Sequence, residues 1–221
     1  MHEIVAVATK DLRIEWRSKV VASQVLPFAV IVLVLFGLAL DADRGTLRTF
    51  TPGLFWVTVL FVAILAIQRS VAVETASSAF EALRLSGAAG WKVFLGKAMA
   101  VAAQLAAIEV VMLLGVIILY RTSVADPMLV VISAVAATIA ISTAGSLYGV
   151  LAVGMGVRDT ILPMLLLPIL APVLVAATRA FDDALNTAAV NGWTWTVMLA
   201  CFAVLYAIIG SVAYAVVLED T

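Results

Sequence analysis

The chain is short of charge. Asp, Glu, Lys and Arg together make 12% of its 221 residues, whereas 65% are apolar; a soluble domain carries about 25% charged and about 45–50% apolar residues. A soluble fold of this length has too little polar surface to cover that excess, so its solvent is lipid. A secreted domain, a cytosolic enzyme, a nucleic-acid binder and a disordered chain are thereby excluded. One histidine, His2, leaves no His-rich metal or haem site, and one cysteine, Cys201, leaves no internal disulfide. Cys201 lies in an apolar run and reads as a small, buried, inert hydrophobe. Thirteen Lys and Arg against fourteen Asp and Glu give a net charge of −1, so there is no bulk pull on nucleic acid. The sequence holds no Ser-His-Asp set, no cysteine pair and no cluster of intramembrane carboxylates. No catalytic, cofactor-binding or metal-ligating residue is predicted, and no signal peptide precedes the first long apolar run.

Long apolar runs are what the sequence has. A helix crossing about 30 Å of hydrocarbon needs roughly 20 residues at about 1.5 Å each. Six runs qualify: 20–40, 51–67, 98–119, 127–153, 161–178 and 195–218. The predicted fold class is all-α, a polytopic integral membrane protein of six transmembrane helices forming one domain, 1–221. Pro52 suits the first turn of the second helix. Basic residues set the direction. With the N-terminus in the cytoplasm, Lys10, Arg13, Arg17, Lys19, Arg69, Arg84, Lys92, Lys97 and Arg158 fall inside, and Arg44, Arg48, Arg121 and Arg179 outside. Nine against four favours that orientation, and an even number of spans returns the C-terminus to the cytoplasm. Trp56, Tyr120, Trp193 and Trp195 fall at outer span ends, and Trp16 and Trp91 near inner ones, where an aromatic belt would have them.

Two long pieces lie outside the spans, residues 1–19 and 68–97, both on the cytoplasmic side. In the first, Ile4, Ala8, Leu12 and Trp16 form a stripe at i, i+4 spacing. Lys10, Arg13 and Arg17 project elsewhere, and Glu15 can pair with Lys19. Such a helix lies along the membrane surface, apolar side down, and can also dock a cytoplasmic partner. The second piece carries Phe80, Glu81, Leu83, Arg84 and Leu85 ahead of the helix-breaking Gly87 and Gly90. A solvated loop does not need that apolar content, so the segment either lies on lipid or fits as a knob into a partner's groove. Gly90 with Gly96-Lys97-Ala98 misses a phosphate loop: five residues separate the glycines instead of four, and Ala98 stands where the Mg²⁺-binding hydroxyl belongs. No nucleotide site is predicted in this chain, and any ATP would be hydrolysed by another subunit.

Inside the membrane, Glu109 is the ionisable residue near a span centre. Such a residue faces the bundle or a cavity, neutralised or paired, and Gln104 one turn away is its expected neighbour. Gly145 and Gly149 form a small-xxx-small pair that lets another helix come close. Pro163, Pro168 and Pro172 remove three amide donors from the fifth span and should bend or break it. Broken helices survive in membranes beside protein or a water-lined cavity. That makes the fifth span the candidate pathway-lining element.

An amphipathic N-terminal helix, six spans and a helical insert between spans two and three resemble the permeases of ABC-2-type exporters. Glu81 to Arg84 and Gly96-Lys97 stand where those inserts lead into span three. Within that superfamily the chain most resembles the haem exporter protein B (CcmB) family of cytochrome c maturation. The resemblance rests on Thr51-Pro52-Gly53-Leu54-Phe55-Trp56-Val57, on Ala66-Ile67-Gln68-Arg69, on Gly156-Val157-Arg158-Asp159, and on the proline-spaced run from Leu162 to Leu174. It covers the whole chain.

The resemblance implies a permease subunit for haem export or delivery in c-type cytochrome biogenesis, in the bacterial inner membrane. Its partners would be a separate cytoplasmic ABC ATPase, a haem-handling membrane protein and a small membrane subunit, with self-association possible. Phe80, Glu81, Leu83, Arg84 and Leu85 become the candidates for contact with the ATPase. An ABC-2-type permease exporting a drug, lipid or polysaccharide is the alternative, and a non-transporting scaffold a third reading. Haem would be a transported or transient ligand and not a bound cofactor. Its iron needs axial ligands, and His2, Cys201, Met112, Met164 and Met198 offer no pair of strong ones on facing span positions.

Overall fold

Every backbone polar group inside a bilayer has to find its partner within the protein, and a helix satisfies that demand within one segment. The computed structural model of the chain describes residues 2–19, 21–40, 44–76, 89–154 and 158–219, and among them there is helix and no strand. Helix α1 is His2–Ser18, followed by a π-helical turn, Val21–Val25, that runs into α2, Leu26–Leu40. Pro27 has no N–H to return to the Ser23 carbonyl, which suits the wider π closure at this place. The remaining helices are α3 (Arg44–Ala76), α4 (Gly90–Leu119), α5 (Pro127–Gly154), α6 (Arg158–Ala184) and α7 (Gly192–Glu219). Lys19, Arg121 and Asn186, just beyond α1, α4 and α6, each have φ between 52° and 55°, the left-handed turn that ends a helix.

Six helices are long and apolar enough to cross a membrane, α2 together with the π-helical turn before it (Ser23–Leu40) and α3 to α7. Apart from α2, they run past the apolar runs that predict them. α3 begins before Thr51 and continues past Ile67, and α4 starts at Gly90, so Pro52 lies inside α3 and not in its first turn. The charges that mark 68–97 as non-spanning do not end these helices, because Arg69 and Lys92 meet carboxylates of α1.

The most buried spans are α3 and α5. α5 is central because its side chains are small and most of its buried hydroxyls are satisfied by its own backbone. Ser133 donates to the Leu129 carbonyl at 2.6 Å and Thr143 to that of Ile139 at 2.7 Å, so burial costs these two hydroxyls little, whereas Ser146 Oγ is buried without a partner among the described residues. Gly145 and Gly149 do admit another helix: Ile67 and Val71 of α3 sit where their side chains would be.

Several expectations change in the packed structure. Ile4, Ala8 and Leu12 turn toward the bundle, whereas Trp16 is 85% exposed, so the stripe of α1 rests on α4 instead of lipid. Trp56 and Tyr120 are buried and do not stand in an outward-facing belt. Trp56 packs with Phe55 and Phe181, ring centroids 5.0–5.3 Å apart. Tyr120 donates to the Leu33 carbonyl at 2.6 Å, and burial pushes its hydroxyl up to about 12. Cys201 is exposed, since α7 presents only one face to its neighbours.

α6 is continuous through Pro163, Pro168 and Pro172 and is not broken. Its buried stripe is Leu166, Leu170, Val173, Ala177 and Ala180, at i, i+4, i+7, i+11 and i+14; Pro168 and Pro172 lie off it, and half-buried Pro163 continues it by one turn. α5 and α7 pack along the helix, and Tyr206 donates to the Ile169 carbonyl at 2.9 Å. That carbonyl is not one a proline orphans, since those belong to residues 159, 164 and 168, so the bond ties α7 to α6 without replacing a lost amide donor.

Candidate functional site

At one end of the bundle α1 lies across α4. Gly96 makes the crossing possible: a Cβ there would stand 2.9 Å from the Ile4 carbonyl oxygen and 2.7 Å from Cβ of Val7. Acidic residues of α1 then meet basic residues of its neighbours. Glu3 pairs with Lys92 at 3.1 Å, and Glu15 pairs with Arg69 at 3.4 Å across to α3. Lys97, 4% exposed, feels the Asp11 carboxylate and Lys10. α1 therefore bridges the two helices that flank residues 77–88. Phe80, Glu81, Leu83, Arg84 and Leu85 lie outside the described residues.

Lys97 is the residue sequence reasoning undervalued. Its charge put it among the cytoplasmic residues, yet it is buried beside Ser70, Gly145 and Ser146 around a void of about 20 Å³, the size of one water. Its neighbour Gly96 carried a signal, because a glycine within a helical run often marks a close backbone approach.

Two-thirds of the way along α4, Glu109 is buried, and its partner is Thr138 of α5, not Gln104. Both carboxyl oxygens are 2.8 Å from Thr138 Oγ1, which also lies 2.8 Å from the Ala134 carbonyl oxygen. The pair opens on a cleft of about 380 Å³ whose other walls are apolar, including Ala103, Ala106, Val110, Val131 and Val135. Chemically this is a hydrogen-bonded carboxyl on an apolar wall. Pro163 and Pro172 are half-buried and Pro168 is exposed. None of the three lines the Glu109 cleft, so the structure does not bring these four candidates together. No group of three or more His, Cys, Asp or Glu side chains that could hold a metal occurs among the described residues.

The family model described as CcmB protein matches residues 2–220. Among curated proteins none matches the chain. Six spanning helices and a match over nearly every residue carry the conclusion: the chain belongs to the CcmB family and is the membrane permease component of a haem export system in cytochrome c maturation.

Proposed function

We propose that this permease converts the movement of a separate cytoplasmic ABC ATPase into a conformational change that delivers haem for c-type cytochrome assembly. The observation that carries the reading is the bridge made by α1, tied to α3 through Glu15–Arg69 and to α4 through Glu3–Lys92. A force applied to residues 77–88 would reach all three helices together. Phe80, Glu81, Leu83, Arg84 and Leu85 form the docking knob, and Glu109 with the proline-bearing α6 forms the responsive part of the bundle. ATP is hydrolysed by the separate ATPase in this reading, which is supported by Ala98 standing where a phosphate loop carries its hydroxyl. It sits in the bacterial inner membrane with both termini in the cytoplasm, a reading supported by the nine-to-four basic asymmetry. The haem-handling protein and a small membrane subunit complete the assembly.

Axial ligands for the haem iron come from a partner in this reading, which is supported by Met112 being buried and by Met164 and Cys201 being exposed on different helices. Haem added to the isolated subunit should therefore give no sharp low-spin Soret band. A stoichiometric low-spin spectrum that survives His2→Ala would overturn this point.

The coupling reading is tested with Leu83→Asp, which places a charge in an apolar contact and should cost several kcal/mol of binding, enough to lose the partner. The variant should fail to co-purify the ATPase and fail to assemble cytochrome c. Full co-purification together with normal assembly would sink the coupling role.

A further inference from the structure

At the end of the bundle away from α1, a cleft of about 510 Å³ lies between α3 and α6. That volume is within the range of sites for small molecules. Its apolar wall includes Phe50, Val57, Leu174 and Val175, and its polar groups include Thr178, Arg179 and Asp182. The two stretches that distinguish this sequence, Thr51 to Val57 and the proline-spaced run of α6, both reach it.

Two features lack an explanation within the fold. Trp56 is 1% exposed and lines the cleft, yet its indole Nε1–H has no acceptor among the described residues. A buried donor without a partner is costly and rare. The second feature is Gly53, also in the wall. A Cβ at this position would meet nothing within 4 Å, so packing does not require glycine, and glycine is a poor helix residue. Its missing side chain leaves room in the cleft. Arg179 stands at the same place with its side chain 49% exposed. It makes one ion pair, Nη1 to Asp182 Oδ2 at 3.3 Å, out of five N–H donors.

We propose that this cleft binds an apolar molecule carrying a carboxylate, with the acid group received by Arg179 and the apolar body laid over Gly53 and Trp56 between Phe50, Val57 and Val175. The inference rests on the haem-delivery reading in one respect: porphyrin propionates have this chemistry, as do free fatty acids. The wall has no His, Cys, Met or Tyr, so it offers the iron no axial ligand and recognises the acid and the ring.

The test uses the full chain in nanodiscs of zwitterionic lipid, titrated with metal-free protoporphyrin IX, its dimethyl ester, and oleate as competitor. Protoporphyrin should bind saturably and the ester should not. Arg179→Gln should weaken binding roughly tenfold, as loss of one charge-assisted hydrogen bond does, and Arg179→Lys should recover most of it. Gly53→Leu should abolish binding while leaving the melting temperature at or above that of the parent, since the new side chain enters open space. Oleate that displaces protoporphyrin, or that alone binds with the same dependence on Arg179, supports the site and identifies its occupant as a general carboxylate amphiphile. Affinities for both probes that ignore Arg179→Gln and Gly53→Leu, or an ester that binds as well as the acid, would overturn it. The haem-delivery reading fails separately, if cells lacking the chain still assemble c-type cytochromes.

Discussion

A single hydroxyl decides what Glu109 does. Thr138 Oγ1 has one proton, and three oxygens lie 2.8 Å from it: both carboxyl oxygens and the Ala134 carbonyl. A side chain at position 109 that can donate to Oγ1 lets Thr138 keep its bond to Ala134. Glutamine can donate through its amide, and leucine cannot. Glu109→Gln is therefore expected to melt within about 1 kcal/mol of the parent, whereas Glu109→Leu should lose about 1–2 kcal/mol and show reduced cytochrome c assembly. Equal loss in both would mean that the negative charge itself is required. Tyr120→Phe, which removes the 2.6 Å bond to the Leu33 carbonyl, should cost about 1 kcal/mol in the same melting assay. Glu109 is legible in the sequence because a lone acid in an apolar run is conspicuous. Thr138 is not, because the register between two spans 29 positions apart is set by packing and leaves no periodic trace.

The elements differ in how far their own residues determine them. Apolar length is a local property, so all six spans can be found from the sequence. Their ends depend on distant partners: Arg69 and Lys92 look like the start and finish of a loop until Glu15 and Glu3 come to meet them. α1 is recognisably amphipathic for the same local reason. What its apolar stripe touches depends on Gly96, on another helix. The three prolines of α6 forecast a bend or a break, and the helix runs on unbroken between α5 and α7. Two glycines test this view of the elements in opposite directions. Gly96→Leu should force α1 off α4, cost about 1–3 kcal/mol and speed tryptic cleavage after Arg13 and Arg17. Unchanged cleavage would show that the crossing does not hold α1 down. Gly53→Ala, with open space around the new methyl group, should raise stability by up to about 1 kcal/mol.

Sidedness belongs to the whole molecule, and two arguments bear on it, one on which end would face the cytoplasm and the other on which segments share an end. The first is charge: nine basic residues on one side against four on the other, which the membrane reads during insertion. The second is packing and uses no charge count. α1 lies on the Gly90 end of α4 through Gly96 and Glu3–Lys92. The last turns of α7 meet the same end, where a Cβ on Gly90 would stand 2.8 Å from Cα of Ala215. The N-terminus, the flanks of residues 77–88 and the C-terminus therefore share one end of the bundle. Residues 120–126 and the connection after α6 share the other, tied by the Ala125 and Asp126 amides, which donate to the Ala184 carbonyl at 2.9 and 3.0 Å. Reporter fusions after Gly87 and after Thr221 should give the same cytoplasmic signal, and a fusion after Arg44 the periplasmic one. Inverting the charge bias, by adding lysines beside Arg121 and removing Lys10, Arg13 and Arg17, would be expected to invert all three signals together, because packing fixes their relation. A Gly87 fusion that reports opposite to the C-terminal fusion would separate two points that the bundle holds at one end, and the six-span arrangement would fall with it.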